Sequence, residues 1–453
     1  MKDFSFDSAA LGQIQAAQQI RAVLQASLKA ADPYRAVQAA LVRRGEDLYV
    51  GGERYALGDF KRVLLTGFGK AGVAMAQAAV EILGERVTDS AVIVKHLPGA
   101  VPGLEGIHFY PGNHPVPGED SVRSTQALLR LVEGCTAEDL VICLVSGGGS
   151  ALFTAPVEDV SLDSLQQLTQ RLLASGADIN EINAIRKHLD QVKGGGLAGQ
   201  AYPAQVVALV LSDVVGSPLD VIASGPTVAD RSTLDDVDHI LEKYRLGGHL
   251  PGEVEAYLRK ARTQGWETPK PGDARLARTN TQVVASNALA AQAAVEAARA
   301  QGFHAGLLST RVTGEAAVVG GLLAGILCEL AGGDGILPRP ACLVAGGETT
   351  VTLRGDGLGG RNLETALGAV QGLEGVEKVA LITLATDGED GPSGAAGAVV
   401  TGETWSRARA LELDPAAALG RNDSRPFFAL LEDLLVTGPT GTNVNDLAFL
   451  VAY

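Results

Sequence analysis

The strongest constraint in this sequence is a rhythm of short apolar runs. They recur at Arg62–Thr66, Ala91–His96, Leu140–Ser146 and Gln205–Ser212, separated by stretches with helical spacing. Runs that are apolar throughout, with no alternation, fit strands buried on both faces, which predicts a parallel sheet flanked by helices. Further runs at Gln282–Ser286, His304–Ser309, Ala341–Ala345 and Val379–Thr386 alternate with Ala-rich helical segments such as Ala288–Ala300, so the second half is α/β as well. Ahead of the first strand, residues from about 8 to 43 are rich in Ala, Leu and Gln at helical spacing and predict one or two helices.

A chain of 453 residues exceeds what one ordinary core supports, so two domains are expected, with a ligand site in the cleft between them. The periodicity breaks between about Gly252 and Thr279, around Pro269-Lys270-Pro271-Gly272, which predicts domains at 1–278 and 279–453. A hydrophobic share of 46% against 20% charged residues is a globular balance. The net charge of −15, with no basic stripe, argues against nucleic acid or an anionic membrane surface as partner. Four cysteines without metal-ligand spacing, no basic and apolar leader, and no run of 18 apolar residues point to a reducing cytoplasm. The sequence does not fix an oligomeric state and leaves a homodimer open.

Function is expected where polar residues cluster at the carboxyl ends of these strands, the edge at which open α/β sheets bind ligands. Gly67-Phe68-Gly69-Lys70-Ala71-Gly72 follows a strand and opens a helix, so its amides and Lys70 suit a phosphate. The same string matches a dinucleotide fingerprint, but the next strand ends in Lys95 and His96 where an acidic ribose ligand is needed. Ser146-Gly147-Gly148-Gly149-Ser150 offers three consecutive glycines whose amides can turn toward one anion. A helix over Asn183–Lys193, ending at Gly194-Gly195-Gly196, would align Asn183, Arg186, Asp190 and Lys193 on one face, although Arg186 and Asp190 are equally explained as a solvated pair. Asp213, Glu348 and Asp387 each lie just past a predicted strand, where they serve as hard ligands for Mg²⁺ or as turn formers. Arg361, flanked by Gly359 and Gly360, presents a planar fork for carboxylate or phosphate. Residues Gly438–Asp446 carry too many hydroxyl and amide groups for a simple connector.

Taken in order, these strings, with Gly112-Asn113-His114-Pro115 and Ala223–Thr227, resemble the glycerate 2-kinases whose C-terminal part is the MOFRL domain. The resemblance runs from Gly67 to the end of the chain. It implies a larger Rossmann-like domain and a smaller MOFRL-type α/β domain, with ATP and glycerate meeting in the cleft, Mg²⁺ dependence and 2-phosphoglycerate as product. It points to Lys70 and Arg361 as phosphoryl-transfer groups, with Asp213 beside them. Gly67, Gly69 and Ser146 to Ser150 would hold ATP phosphates, Arg186 or Lys193 the glycerate carboxylate, and Asp213, Asp387 and Glu348 the metal. Three positions depart from the family pattern, which commonly has Asp where Ser217 and Gly394 stand and Arg where Gly196 stands. Two other readings stand beside the kinase: an NAD(P)H-dependent hydroxypyruvate reductase, and a phosphosugar-binding protein without catalysis.

Overall fold

The structure, a computed structural model, describes residues 4–332 and 337–453. Its strands are β1 (Val42–Arg44), β2 (Asp47–Val50), β3 (Glu53–Ala56), β4 (Arg62–Phe68), β5 (Val87–Val94), β6 (Phe109–Pro111), β7 (Asp139–Val145) and β8 (Gln205–Leu211). They continue as β9 (Thr279–Ala285), β10 (His304–Val312), β11 (Ala341–Gly347), β12 (Val379–Ala385), β13 (Gly397–Thr401), β14 (Leu434–Leu435) and β15 (Asp446–Ala452). The chain forms two compact units: Pro33–Ser212 with Ser217–Val284, and Ala285–Tyr453 with residues 4–32 and Asp213–Gly216. The linear boundary read at 278/279 therefore falls near one crossing point, while the first helices and a four-residue piece join the C-terminal unit. Burial explains the first of these. Ile20, Val23, Leu24 and Leu28 line one face of helix Ala17–Ala31, which packs on helix Asn287–Ala300.

The first unit holds a six-stranded sheet in the order β6-β5-β4-β7-β8-β9. Strand pairing is parallel from β6 through β8. Every residue of β7 is buried, as is all of β4 after Arg62, which is why these strands read as unbroken apolar runs. Chain order reverses between β4 and β7, so the loops after these two strands open at a topological switch point. A separate antiparallel ribbon, β1-β2-β3, precedes the sheet.

The second unit is built on a mixed sheet in the order β10-β11-β15-β12-β13-β14. The C-terminal strand β15 is inserted antiparallel between β11 and β12. That register puts Asp446, its first residue, level with Gly347 at the end of β11 and Ala385 at the end of β12. Helices Ala316–Gly332 and Arg361–Ala369 cover a core that includes Leu323, Leu327, Leu363, Leu367, Leu381 and Leu450.

Two expectations are corrected. The helix placed over Asn183–Lys193 spans Ile179–His188, starting in a capping box of Asp178 and Glu181. It stops because Asp190 folds back: its Oδ1 accepts from the Val192 amide at 3.0 Å, a local bond that competes with helix continuation. Asp190 and Lys193 thus leave the helical face shared by Asn183 and Arg186. Second, the supposed junction from Gly252 contains helix Gly252–Gln264, which buries Val254, Leu258 and Ala261 at helical spacing behind a charged outer face.

Candidate active site

At the switch point of the parallel sheet, the two glycine loops are stitched together. Lys70 N donates to Gly147 O at 3.0 Å, Ala71 N to Ser146 Oγ at 3.1 Å, and Ser146 N to Phe68 O at 3.1 Å. Close approach dictates glycine here. Gly69 has φ 129°, and a Cβ on it would run into Ser146 Oγ; Gly148 sits at φ 81°, where a Cβ would meet the His114 ring at 2.9 Å and Lys70 Cε at 3.4 Å. Phe68 stacks on Phe153 with ring centroids 4.1 Å apart, locking the start of one loop to the end of the other.

Charge at this corner is positive. Burial, then the nearby Lys70 and Lys95, hold the His114 imidazole below its ordinary pKa. Lys70 itself is exposed. The same corner recruits Arg186, whose Nη2 donates to Ser150 O at 2.9 Å, and Ser224, whose Oγ lies 3.0 Å from Ser150 Oγ and donates to Asn183 Oδ1 at 3.1 Å. Ala223 and Ser224 hold φ of 49° and 60°, strained values for residues with a Cβ. Gly67, Gly69, Lys70, Ser146–Ser150 and Arg186 therefore gather at one edge. Lys193 does not present its charge there. It is 1% exposed, and its ammonium is enclosed by Phe153 O, Thr154 Oγ1 and Asp190 Oδ2 at 2.8, 3.0 and 2.9 Å.

In the mixed-sheet unit, Arg361 opens helix Arg361–Ala369. Its Nε and Nη2 donate to the two oxygens of Asp446 at 2.5 and 3.3 Å, and Nη1 donates to Glu348 Oε1 at 2.8 Å. Burial alone would lower the guanidinium pKa, but Asp446 and Glu348 more than reverse it. Asn362 Nδ2 adds a bond to Asp446 Oδ1 at 2.9 Å. Asp390 caps the same helix: Oδ1 accepts from Asn362 N at 3.0 Å and Oδ2 from Leu363 N at 2.8 Å.

Carboxylates outnumber cations here. Burial pushes Glu348 up, Arg361 pulls it down, and the charges of Asp446, Asp213 and Asp387 push it up again. Asp387 is likewise raised, first by burial and then by Asp446, against the bond from the Glu389 amide. Glu348, Arg361, Asp387, Val215, Leu353 and Asn443 help line a cavity of about 1060 Å³ within this unit. No group of three or more His, Cys, Asp or Glu among the described residues forms a ready-made metal cage. The donor set is all oxygen and electrostatically strained toward a cation, which fits Mg²⁺, an ion that takes one or two carboxylates and completes its shell with water and phosphate.

The sequence reading passed over two contributors. In the sequence His114 sits inside the string Gly112–Pro115, and Asp446 ends the polar string Gly438–Asp446. Nothing local marks Asp446, because its partners are fixed by the insertion of β15. The departures from the family pattern also have local settings. Ser217 and Gly394 take left-handed φ of 51° and 68°, and a Cβ at Gly196 would strike the Gln191 carbonyl.

Residues 19–259 match the family described as a domain of unknown function, DUF4147, and residues 341–446 match the MOFRL family. A D-glycerate 2-kinase from Thermotoga maritima is 42% identical over 94% of this chain and 95% of its own. The chain belongs to the glycerate kinase family. A crystal structure of glycerate kinase from Thermotoga maritima superposes with a TM-score of 0.85 at 40% identity, covering 95% of this chain and 98% of that one. A relative from Agrobacterium vitis, 39% identical over 96% of this chain and 94% of its own, bears the provisional name hydroxypyruvate reductase. As a member of the glycerate kinase family the chain is a kinase, with the Rossmann-like and MOFRL-type α/β parts that the family carries. Among the described residues, no helix is long and apolar enough to cross a membrane.

Proposed function

We propose that this kinase transfers the terminal phosphoryl group of ATP, with Mg²⁺, to the C2 hydroxyl of D-glycerate. The observation that carries the reading is the likeness to a D-glycerate 2-kinase over 94% of the chain. Phosphoryl transfer asks a protein mainly for positioning and charge neutralisation, and the two polar groups supply the means. The amides of Gly147 to Gly149, with Gly67, Gly69, Ser146, Ser150 and Lys70, cradle phosphates. Lys70 and Arg361 neutralise the group in transfer, and Arg186 serves the glycerate carboxylate. Asp213, Asp387 and Glu348 hold Mg²⁺, which when bound screens the phosphate charge. Asp446 keeps the Arg361 fork in one plane through its paired bonds.

The reductase reading has one feature in its favour, a glycine loop at the switch point of a parallel sheet. Lys95 and His96, directly after β5, oppose it, because the ribose of a nicotinamide cofactor needs an acid there. Incubation with ATP, Mg²⁺ and D-glycerate, followed by phosphorus and carbon NMR, tests the proposal. We expect 2-phosphoglycerate and no oxidation of NADH or NADPH by hydroxypyruvate. Accumulation of 3-phosphoglycerate alone, or cofactor oxidation without ATP consumption, would overturn it.

A further inference from the structure

Three loops of the parallel-sheet unit meet on the segment from Asp190 to Gly195. Lys193 spends all three ammonium protons on Phe153 O, Thr154 Oγ1 and Asp190 Oδ2. Asp190, 5% exposed, also accepts from the Ala155 amide at 3.3 Å and the Val192 amide at 3.0 Å, so both of its oxygens are occupied. Phe153 and Thr154 directly follow the short helix Gly149–Leu152 that continues the glycine loop. Thr154 Oγ1 passes the contact on to Ser150 O at 3.0 Å, and the Phe153 ring passes it to Phe68, next to Lys70's loop. The following residues bind the third loop: Gly194 N donates to Ser224 O at 2.8 Å and Gly195 N to Gly225 O at 2.7 Å.

An ion pair this deep gains little net stability, since desolvation offsets the attraction and apolar residues of similar volume often do as well. Directed bonds are what apolar packing lacks. We propose that the buried Lys193–Asp190 pair is a positioning device for the loop Ser146–Ser150, holding it and the Ser224 loop in the geometry that receives phosphate. The inference rests on reading that loop as the phosphate site. Neither residue touches substrate. The pair sets where Ser150 and the preceding amides point, as Arg186 does through its own bond to the Ser150 carbonyl.

A replacement that restores packing without the bonds separates this role from simple stability. Lys193→Met alone strands Asp190 and lowers Tm. The double variant Lys193→Met/Asp190→Asn, which keeps an oxygen for the Val192 amide, should recover Tm relative to Lys193→Met, yet bind MgATP at least about tenfold more weakly by calorimetry, with reduced kcat. A double variant with recovered Tm, unchanged Kd and unchanged kcat overturns the proposal. Should it stay unstable, Thr154→Val decides: at nearly constant volume it cuts both bonds of the Thr154 hydroxyl, from Lys193 Nζ and to Ser150 O, and wild-type MgATP affinity and kcat in that variant likewise overturn the proposal. Wild-type protein that binds no MgATP would sink the phosphate reading itself, a distinct failure.

A pH profile gives an independent readout. Burial, then the charge of Arg186, bring Lys193 down to about 8 against the opposing pull of Asp190. Above that pH the amine has two protons for three acceptors. Wild-type MgATP affinity should therefore fall above pH 8, and the double variant should lose this inflection. An inflection that persists in the double variant would overturn the assignment.

Discussion

The two polar groups of this molecule are made from different materials. In the parallel-sheet unit the loops after β4 and β7 offer main-chain amides, hydroxyls and the cations Lys70 and Arg186, and glycine is dictated by close backbone approach. In the mixed-sheet unit one guanidinium, Arg361, is ringed by Asp446 and Glu348, with Asp387 and Asp213 near enough to shift Glu348. The first has the make-up of an anion cradle and the second is a carboxylate cluster with the make-up of a cation site, which is how the proposed function uses them. A phosphotransferase handling a metal-bound polyanion needs both.

The comparison breaks most easily at one cation from each group, the exposed Lys70 and the paired Arg361. If Lys70 and Arg361 act on charge that redistributes in the transition state, Lys70→Ala and Arg361→Ala each lower kcat and kcat/KM together, by at least roughly a hundredfold. Steady-state kinetics with ATP and D-glycerate varied separately check this. A raised KM with near-normal kcat would demote either residue to a ground-state anchor. Arg361→Lys should rescue little, since an ammonium cannot keep the paired bonds to Asp446.

Legibility in the sequence follows the same divide. Parallel strands buried on both faces announce themselves, and β4, β7 and β8 fall within two residues of the apolar runs. Their loops follow in the chain, so Lys70 and Ser146 to Ser150 were readable together. The mixed sheet hides its logic. Asp446 reaches Arg361 only because β15 slots between β11 and β12, a long-range pairing that no local pattern encodes. The polar face of helix Gly252–Gln264 hides its period, and the Asp190 turn rotates Lys193 from the helical face into the interior, which spacing alone does not encode.

A second test asks what burial costs the acidic unit. Burial pushes Asp390 from 3.8 to about 6, opposed by the bonds from Asn362 and Leu363. The folded value lies above the unfolded one, so the folded state binds the proton more tightly. The stability contributed by this group is complete below about pH 4 and is lost as pH rises through about 6. Asp390→Asn cannot ionise. Its stability relative to wild type should therefore improve by on the order of 2 kcal/mol between pH 4 and pH 7, above a constant offset for the acceptor lost at the helix start. Denaturant titrations of both proteins across that range measure it. A pH-independent difference would show that Asp390 is stabilised as an anion by the helix terminus as fully as in water.

The smallest effect probes the cluster itself. Glu348 already shares its charge with Arg361 through the 2.8 Å bond, whereas Asp387 accepts only a backbone amide, from Glu389 at 3.0 Å, among its resolved side-chain bonds. Asp387 thus has more charge to give an incoming dication than Glu348 has. Asp213 contributes to the same field, because its charge helps raise Glu348. At saturating ATP, Asp387→Asn and Asp213→Asn should each raise the free Mg²⁺ giving half-maximal rate by about tenfold, the scale seen when a group supporting a metal is lost. Glu348→Gln should raise it less and should also lower kcat, through the altered seat of Arg361. Catalysis survives each change because Mg²⁺ draws the rest of its shell from water and phosphate. Rate measured against free Mg²⁺ in the three variants distinguishes the roles. Unchanged metal dependence in Asp213→Asn would assign that carboxylate to holding its turn or orienting the acceptor hydroxyl, and would leave the ion to Asp387 and Glu348.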